Sequence, residues 1–355
     1  MKIKDIQLTN WMFSVWPIFL LVSQKALLPV QVVAFLLSRK DKILFYFMLF
    51  FITSGGFLAL LWINDSLRNE FGFIHFLGFA LFVISAILIG HSYRTNFSFD
   101  LKWITIFNFV SISLAIVFYV FNLDFSFFRG LNFIRGTDGA IHRVFIETTP
   151  LIVLNDYRLF KKNYLNVVLF ALTFFYVFVL CKSFFIIIFF VWRLWMDHRL
   201  LIMKRIWYFL PLILLGVFFI GLELISFVIR ADLALSIIFK FNQLMSIIGL
   251  ISSDYFFFGR GFGFVMDEFV TDFSQPYQIE MQLPMLFLQF GLIGFLMFGI
   301  FILLIFYFSG VKRPLASTMM YFSVGFVNPW LFLPIWFLTC CYFFKKVDDQ
   351  DRANL

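Results

Sequence analysis

The chain has 355 residues, 62% of them hydrophobic and only 14% charged, with a formal net charge of +8. Soluble domains carry about 25% charged and about 45–50% apolar residues, so a water-soluble fold of this composition would have more apolar side chain than interior to hide it in. A soluble enzyme, a disordered chain and a secreted disulfide scaffold are excluded, which leaves a polytopic membrane protein.

Apolar runs bounded by charged or turn residues predict spanning or re-entrant helices, at about 20 residues for a full span. In chain order they fall at about 8–22, 25–38, 42–63, 72–90, 101–122, 145–157, 164–181, 183–196, 205–227, 283–308, 315–327 and 330–344. Runs such as ILFYFMLFF and FFIIIFF are apolar on every side, whereas barrel strands alternate. The expected fold is therefore an all-α polytopic integral membrane protein of about 10–12 helices in a single membrane domain, 1–355. The N-terminal stretch runs into its apolar segment without a small-residue cleavage site, as a retained first span does.

The basic residues sit in short clusters between apolar runs, as membrane-orientation signals do and a nucleic-acid surface does not. With the N-terminus in the cytoplasm, Lys2/Lys4, Arg39/Lys40/Lys42, Arg94/Lys102, Arg158/Lys161/Lys162, Arg193/Arg199/Lys204/Arg205, Lys312/Arg313 and Lys345/Lys346/Arg352 face inside, 19 basic residues against 9 outside. Both termini are then cytoplasmic. Two long loops, about 123–144 and 228–282, are left on the outer face, so chemistry is expected at the outer membrane–water boundary.

Six of the outer basic residues are arginines: Arg68, Arg129, Arg135, Arg143, Arg230 and Arg260. A guanidinium is a rigid fork that matches phosphate or carboxylate bidentately. The set reads either as headgroup contacts and partners for Asp138, Asp232, Asp267 or Glu268, or as a cradle for an anionic group such as pyrophosphate. Gly259-Arg260-Gly261-Phe262-Gly263 permits left-handed backbone and close approach, with successive N–H groups facing an anion or forming a plain turn. It is neither a dinucleotide fingerprint nor a phosphate-binding P-loop. Glu280 stands at the outer mouth of the 283–308 span, with small Gly291 and Gly294 allowing neighbouring helices to approach. Lys182-Ser183 separates two apolar runs as an outer hairpin turn, with anion binding as the functional role of Lys182. Glu223 lies near the outer end of a span, within reach of Arg230, and Asn328-Pro329 breaks the last apolar stretch. Cys181, Cys340 and Cys341 lie in apolar segments and read as packing residues. His75, His91, His142 and His198 share no helix face at ligand spacing, so no metal site is expected.

These features together resemble the O-antigen polymerases (Wzy-type), within the superfamily that also holds the O-antigen ligases. The resemblance rests on the glycine run Gly259 to Gly263 in the large outer loop, on the following stretch from Glu280-Met281 to Gly291-Leu-Ile-Gly294, on the Lys182-Ser183 turn, and on Asn328-Pro329. It covers 125–345 loosely and 255–300 more specifically. Where ligases typically have His-Asn, this sequence has Glu280-Met281; an acidic residue there is compatible with many polymerases.

The resemblance implies a glycosyltransferase of the bacterial inner membrane with its site facing the periplasm. Its substrates would be undecaprenyl-pyrophosphate-linked oligosaccharides, and a chain-length regulator is a candidate partner beside membrane lipid. The leaving group is already a pyrophosphate, so transfer is expected to invert the anomeric configuration and to need neither metal nor cofactor. On this reading Glu280 and Arg260 are catalytic, and Arg129, Arg135, Arg143, Arg230, Gly259, Gly261, Gly263 and Lys182 bind pyrophosphate or glycan. A ligase acting on lipid A–core, a capsule or exopolysaccharide polymerase, and a transporter of lipid-linked sugars stay open as alternatives.

Overall fold

The computed structural model describes residues 32, 43–63, 71–94, 101–123, 131–135, 141–157, 163–205, 233–251, 253–266, 281–311, 313–326 and 330–353. In chain order these form α1 (Ile43–Ile63), α2 (Gly72–Arg94), α3 (Leu101–Val120), β1 (Leu131–Arg135), β2 (Ile141–Ile146), α4 (Thr149–Ile152), α5 (Asn163–Phe175), α6 (Phe184–Arg205), α7 (Leu233–Leu250), α8 (Ser253–Phe256), α9 (Gln282–Phe308), α10 (Pro314–Ser323) and α11 (Pro334–Ala353). A π-helical turn, Tyr176–Cys181, continues α5, and a 3₁₀ turn, Val324–Phe326, follows α10.

Among the described residues, four helices are long and apolar enough to cross a bilayer: Phe45–Ile63, Gly72–Arg94, Tyr164–Cys181 and Gln282–Phe308. Most of their backbone groups pair within the helix, as a hydrocarbon environment requires, and those opened at a break in Gln282–Phe308 are paired by another segment. Their outer faces carry bare aromatic rings, Trp62 being 78% exposed, which lipid solvates and water would not. The chain is an all-α polytopic membrane protein, with one small β-hairpin among the described residues. The segment predicted at 8–22, and nearly all of those at 25–38 and 205–227, lie outside the described residues, as does Asn328-Pro329.

The chain divides into two compact units. The first, within Phe99–Ala234, holds α3 to α6 and the hairpin. Strands β1 and β2 pair antiparallel from Leu131↔Ile146 to Arg135↔Ile141, with a bulge between Ile134 and Arg135. The stretch 145–157, read as a spanning or re-entrant helix, has a different form. It continues from β2 into the single turn of α4, where Thr148, Thr149 and Pro150 interrupt any longer helix. Even so, it follows α3 end to end. Asn122 Oδ1 accepts from the Ile141 N–H at 3.2 Å, Asn108 Nδ2 donates to the Leu151 carbonyl at 3.1 Å, and Thr105 Oγ1 accepts from the Asp156 N–H at 2.9 Å. Non-helical backbone survives at such depth only when protein groups replace the missing ladder.

Asn108 is the centre of that replacement. Its Nδ2 also donates to Asn155 Oδ1 at 2.6 Å, and Asn155 Nδ2 donates to Thr173 Oγ1 at 3.2 Å. Asn108→Leu strips partners from a buried carbonyl and a buried amide, which costs about 1–3 kcal/mol for each group left unsatisfied. We expect a lowered melting temperature in detergent by fluorescence-detected size-exclusion chromatography; an unchanged one would mean that the network does not hold the segment.

The second unit, within Gln31–Ser98 and Leu235–Phe344, holds α1, α2, most of α7, α8 to α10 and the first half of α11. Its core is a continuous aromatic stack: Phe57–Phe79 centroids are 4.3 Å apart, Phe262–Phe290 4.5 Å, Phe82–Phe332 5.7 Å and Phe306–Phe337 4.7 Å. Between helices in lipid the hydrophobic drive is weak and packing carries association, and each aromatic pair adds about 0.5–1.5 kcal/mol. A share of the 59 phenylalanines is used in this way. Helix α7 occupies the first part of the stretch predicted as the outer loop 228–282. Lys240, Asn242 and Gln243 break its apolar run in sequence, yet Gln243 and Ile247 are buried, so one face of a helix was hidden inside an apparent loop.

Candidate functional site

Helix α9 is broken. At Gly291 the backbone takes φ 65° and ψ −175°, a conformation in which only glycine is comfortable. The break opens backbone groups that a continuous helix would pair internally, and the glycine turn closes them. Arg260 N–H donates to the Leu288 carbonyl at 2.8 Å, Gly261 N–H to the Gln289 carbonyl at 2.9 Å, and Ile293 N–H to the Phe257 carbonyl at 3.1 Å. Gly259, Gly261 and Gly263 all have positive φ. A Cβ on Gly259 would run into the backbone of Gln289, and one on Gly291 into the backbone of Gly259 and Phe257.

This corrects the anion cradle read from the glycine spacing. The left-handed backbone is present, but the N–H groups of Gly259, Arg260 and Gly261 go to the Tyr255, Leu288 and Gln289 carbonyls, and that of Gly263 goes to His75 Nδ1 at 3.0 Å. The amides therefore dock the turn and do not face outward as a set. What the turn presents is the side chain between its glycines. The Arg260 guanidinium lies 4.3 Å from the Tyr255 ring centre and 5.2 Å from that of Phe264. Its Nε and Nη2 both donate to the Leu250 carbonyl at 3.3 Å, at the end of α7. One edge of the fork is thus anchored and the plane stacked, while Nη1 makes no hydrogen bond among the described residues. A guanidinium held in this way is ready to receive an anion.

Three further polar side chains brace the same region and were not singled out from sequence. His75, buried in α2, accepts the Gly263 amide and sits 5.2 Å from the Phe262 ring. Gln289 Nε2 donates to the Phe264 carbonyl at 3.2 Å, and Gln282 Oε1 accepts from the Leu331 N–H at 2.7 Å. Each is a polar group inside an apolar span. That is the signal that could have marked them, whereas the histidines were weighed only for metal spacing.

In the first unit, another predicted cation contacts the backbone immediately before a second. Arg143 on β2 donates Nε and Nη2 to the Cys181 carbonyl at 3.1 and 2.8 Å. That carbonyl belongs to the residue before Lys182, which caps the π-helical turn in left-handed conformation, φ 49°. The π turn leaves the Cys181 carbonyl to the arginine and places Lys182 directly beyond it. Such turns concentrate at functional sites. The backbone of Arg135 is in β1 beside this pair, across the bulge.

Arg129, Arg230 and Glu280 lie outside the described residues; Glu280 immediately precedes Met281, which caps α9. The structure thus groups Arg260 with the three glycines in one unit, and Arg143 with Lys182 and the strand of Arg135 in the other. Among the described residues, no group of three His, Cys, Asp or Glu side chains is disposed to hold a metal ion. Neither a known protein family, nor a curated protein, nor a solved structure matches the chain.

Proposed function

We propose that the protein is a membrane glycosyltransferase that polymerises undecaprenyl-pyrophosphate-linked oligosaccharide repeat units, an O-antigen polymerase of the bacterial inner membrane acting at the periplasmic face. The observation that carries this reading is Arg260: anchored on one edge, stacked on two rings, and held at the break of a membrane span. The Arg143 contact beside Lys182 and the motif resemblance support it further.

In the proposed reaction an acceptor sugar hydroxyl attacks the anomeric carbon of the growing glycan. The bond from that carbon to the pyrophosphate oxygen breaks, and undecaprenyl pyrophosphate leaves with the electron pair. The hydroxyl proton passes to the Glu280 carboxylate. Displacement from the opposite face inverts the anomeric carbon. The work required of the protein is stabilisation of charge growing on the leaving pyrophosphate, for which one preorganised donor is worth about 2.7–4 kcal/mol.

A transporter of lipid-linked sugars is the second reading, since broken helices mark binding sites in transporters. Against it, the carbonyls of Leu288 and Gln289 and the N–H of Ile293 are already taken by the glycine turn, whereas transporters use such groups on substrate or ion. Deletion of the gene followed by lipopolysaccharide electrophoresis separates the readings. We expect core bearing a single repeat unit, with the ladder gone. Bare core with long lipid-linked polymer retained would instead mean a ligase, and an unchanged ladder would remove both.

A further inference from the structure

The far end of α2 carries a second polar feature that the proposed reaction does not use. The glycine turn meets α2 at its start, where Gly263 packs against Gly72. Arg94 ends the same helix, about 33 Å away at 1.5 Å per residue, which matches a hydrocarbon thickness of about 30 Å. Arg94 therefore stands at the opposite membrane face. Its Nη1 donates to the Phe308 carbonyl at 3.2 Å, at the end of α9. Five residues further on, the exposed Arg313 follows Lys312.

Next to this basic end is a groove of about 250 Å³ between α1 and α2, lined by Tyr46, Phe47, Phe50, Ile84, Ile87 and Leu88. Tyr46 belongs to both parts. Its ring lines the groove and packs edge-on to His91 at 5.4 Å, and its hydroxyl is buried on the side toward Arg94, within electrostatic reach of that guanidinium. An apolar slot with an exposed guanidinium close to its end matches a molecule with a hydrocarbon chain and a phosphate at its head.

We propose that this is a binding site for an anionic glycerophospholipid of the leaflet opposite the glycine turn, with one acyl chain in the α1–α2 groove and the headgroup phosphate on Arg94. Charge complementarity selects an anionic lipid over a zwitterionic one, because basic pockets between spans collect acidic headgroups. The membrane face selects a phospholipid over the pyrophosphate-linked substrate, whose candidate site lies at the other end of α2. A free phosphate would leave the apolar slot without an occupant.

The test is native mass spectrometry of the full-length protein in detergent, with phosphatidylglycerol and phosphatidylethanolamine of identical chains at equal concentration. We expect the wild type to retain phosphatidylglycerol preferentially. Arg94→Gln should weaken that preference about five-fold, the factor one arginine near an anionic surface is worth, and Arg94→Lys should keep most of it. Ile87→Trp, which fills the groove, should reduce retention of both lipids. Equal retention of the two lipids by the wild type overturns the proposal, and so does an Arg94→Gln protein that matches it. Displacement of phosphatidylglycerol by equimolar undecaprenyl phosphate would assign the slot to the polyprenyl carrier and also overturn it. The wild-type comparison and this competition decide the matter even if Arg94→Gln fails to fold.

Discussion

Gly291→Ala is expected to be among the most damaging single-methyl substitutions in the protein. The position has φ 65° and ψ −175°, a region that costs a non-glycine residue about 1–3 kcal/mol. The added carbon would also meet the backbone of Gly259 and Phe257, which cannot step aside as a side-chain tip would, for a further ~1–3 kcal/mol of overpacking. The turn must then leave the span, and the pairings of Arg260 and Gly261 with the Leu288 and Gln289 carbonyls go with it. Gly299→Ala is the control in the same helix. A carbon there meets nothing within 4 Å, and replacing a helical glycine by alanine stabilises by up to about 1 kcal/mol. Thermal unfolding in detergent should show Gly291→Ala melting well below the wild type and Gly299→Ala at or slightly above it. Equal melting of the two variants would mean that the turn and the span are not tightly closed on each other.

Arg260→Ala is the second large effect, this time on activity. If the guanidinium stabilises charge on the departing pyrophosphate, its loss should slow chain growth by about 10²–10³-fold. Arg260→Lys keeps the charge but loses the two-point anchor on Leu250 and the flat stacking on Tyr255 and Phe264, so it should recover little. The measurement is the rate of polymer formation from a purified lipid-linked repeat unit, alongside protein yield and melting temperature. Wild-type elongation by Arg260→Ala would remove the residue from the chemistry. A fall in melting temperature that accounts for the whole loss would leave it as a brace for α7.

The membrane-spanning helices were legible because an apolar run of about 20 residues has few other fates. Segment 145–157 was misleading for the same reason. It is apolar and it does run alongside α3, but Thr148, Thr149 and Pro150 turn it into strand and single-turn helix. Its depth is sustained by Asn108, a residue some 40 positions earlier that no local pattern connects to it. Helix α7 was hidden by Lys240, Asn242 and Gln243, which look like loop residues until the burial of Gln243 shows which way the helix faces.

At the candidate site the alternate glycines correctly announced positive φ, but a glycine pattern does not say what its amides will bind. Here the answer lay in Gly291, which sequence marks only as a small residue for helix packing. An isolated glycine does not break a helix; this one does so because partners for the opened groups are supplied from elsewhere in the chain. The use of His75 as an acceptor for Gly263 was likewise beyond local pattern, since the two residues are 188 positions apart.

The closure of α9 by the glycine turn has a consequence for biogenesis. Residues 257–261 precede the start of α9 by about twenty positions, so they are synthesised first and await the span. By itself, α9 has every reason to enter the bilayer as an unbroken 27-residue helix, with Gly291 wound into it and no carbonyl left bare in hydrocarbon. The kink then opens only in exchange for the amides of Arg260 and Gly261, one set of hydrogen bonds traded for another. The shape of this span and the anchored position of Arg260 therefore depend on one and the same set of docking contacts.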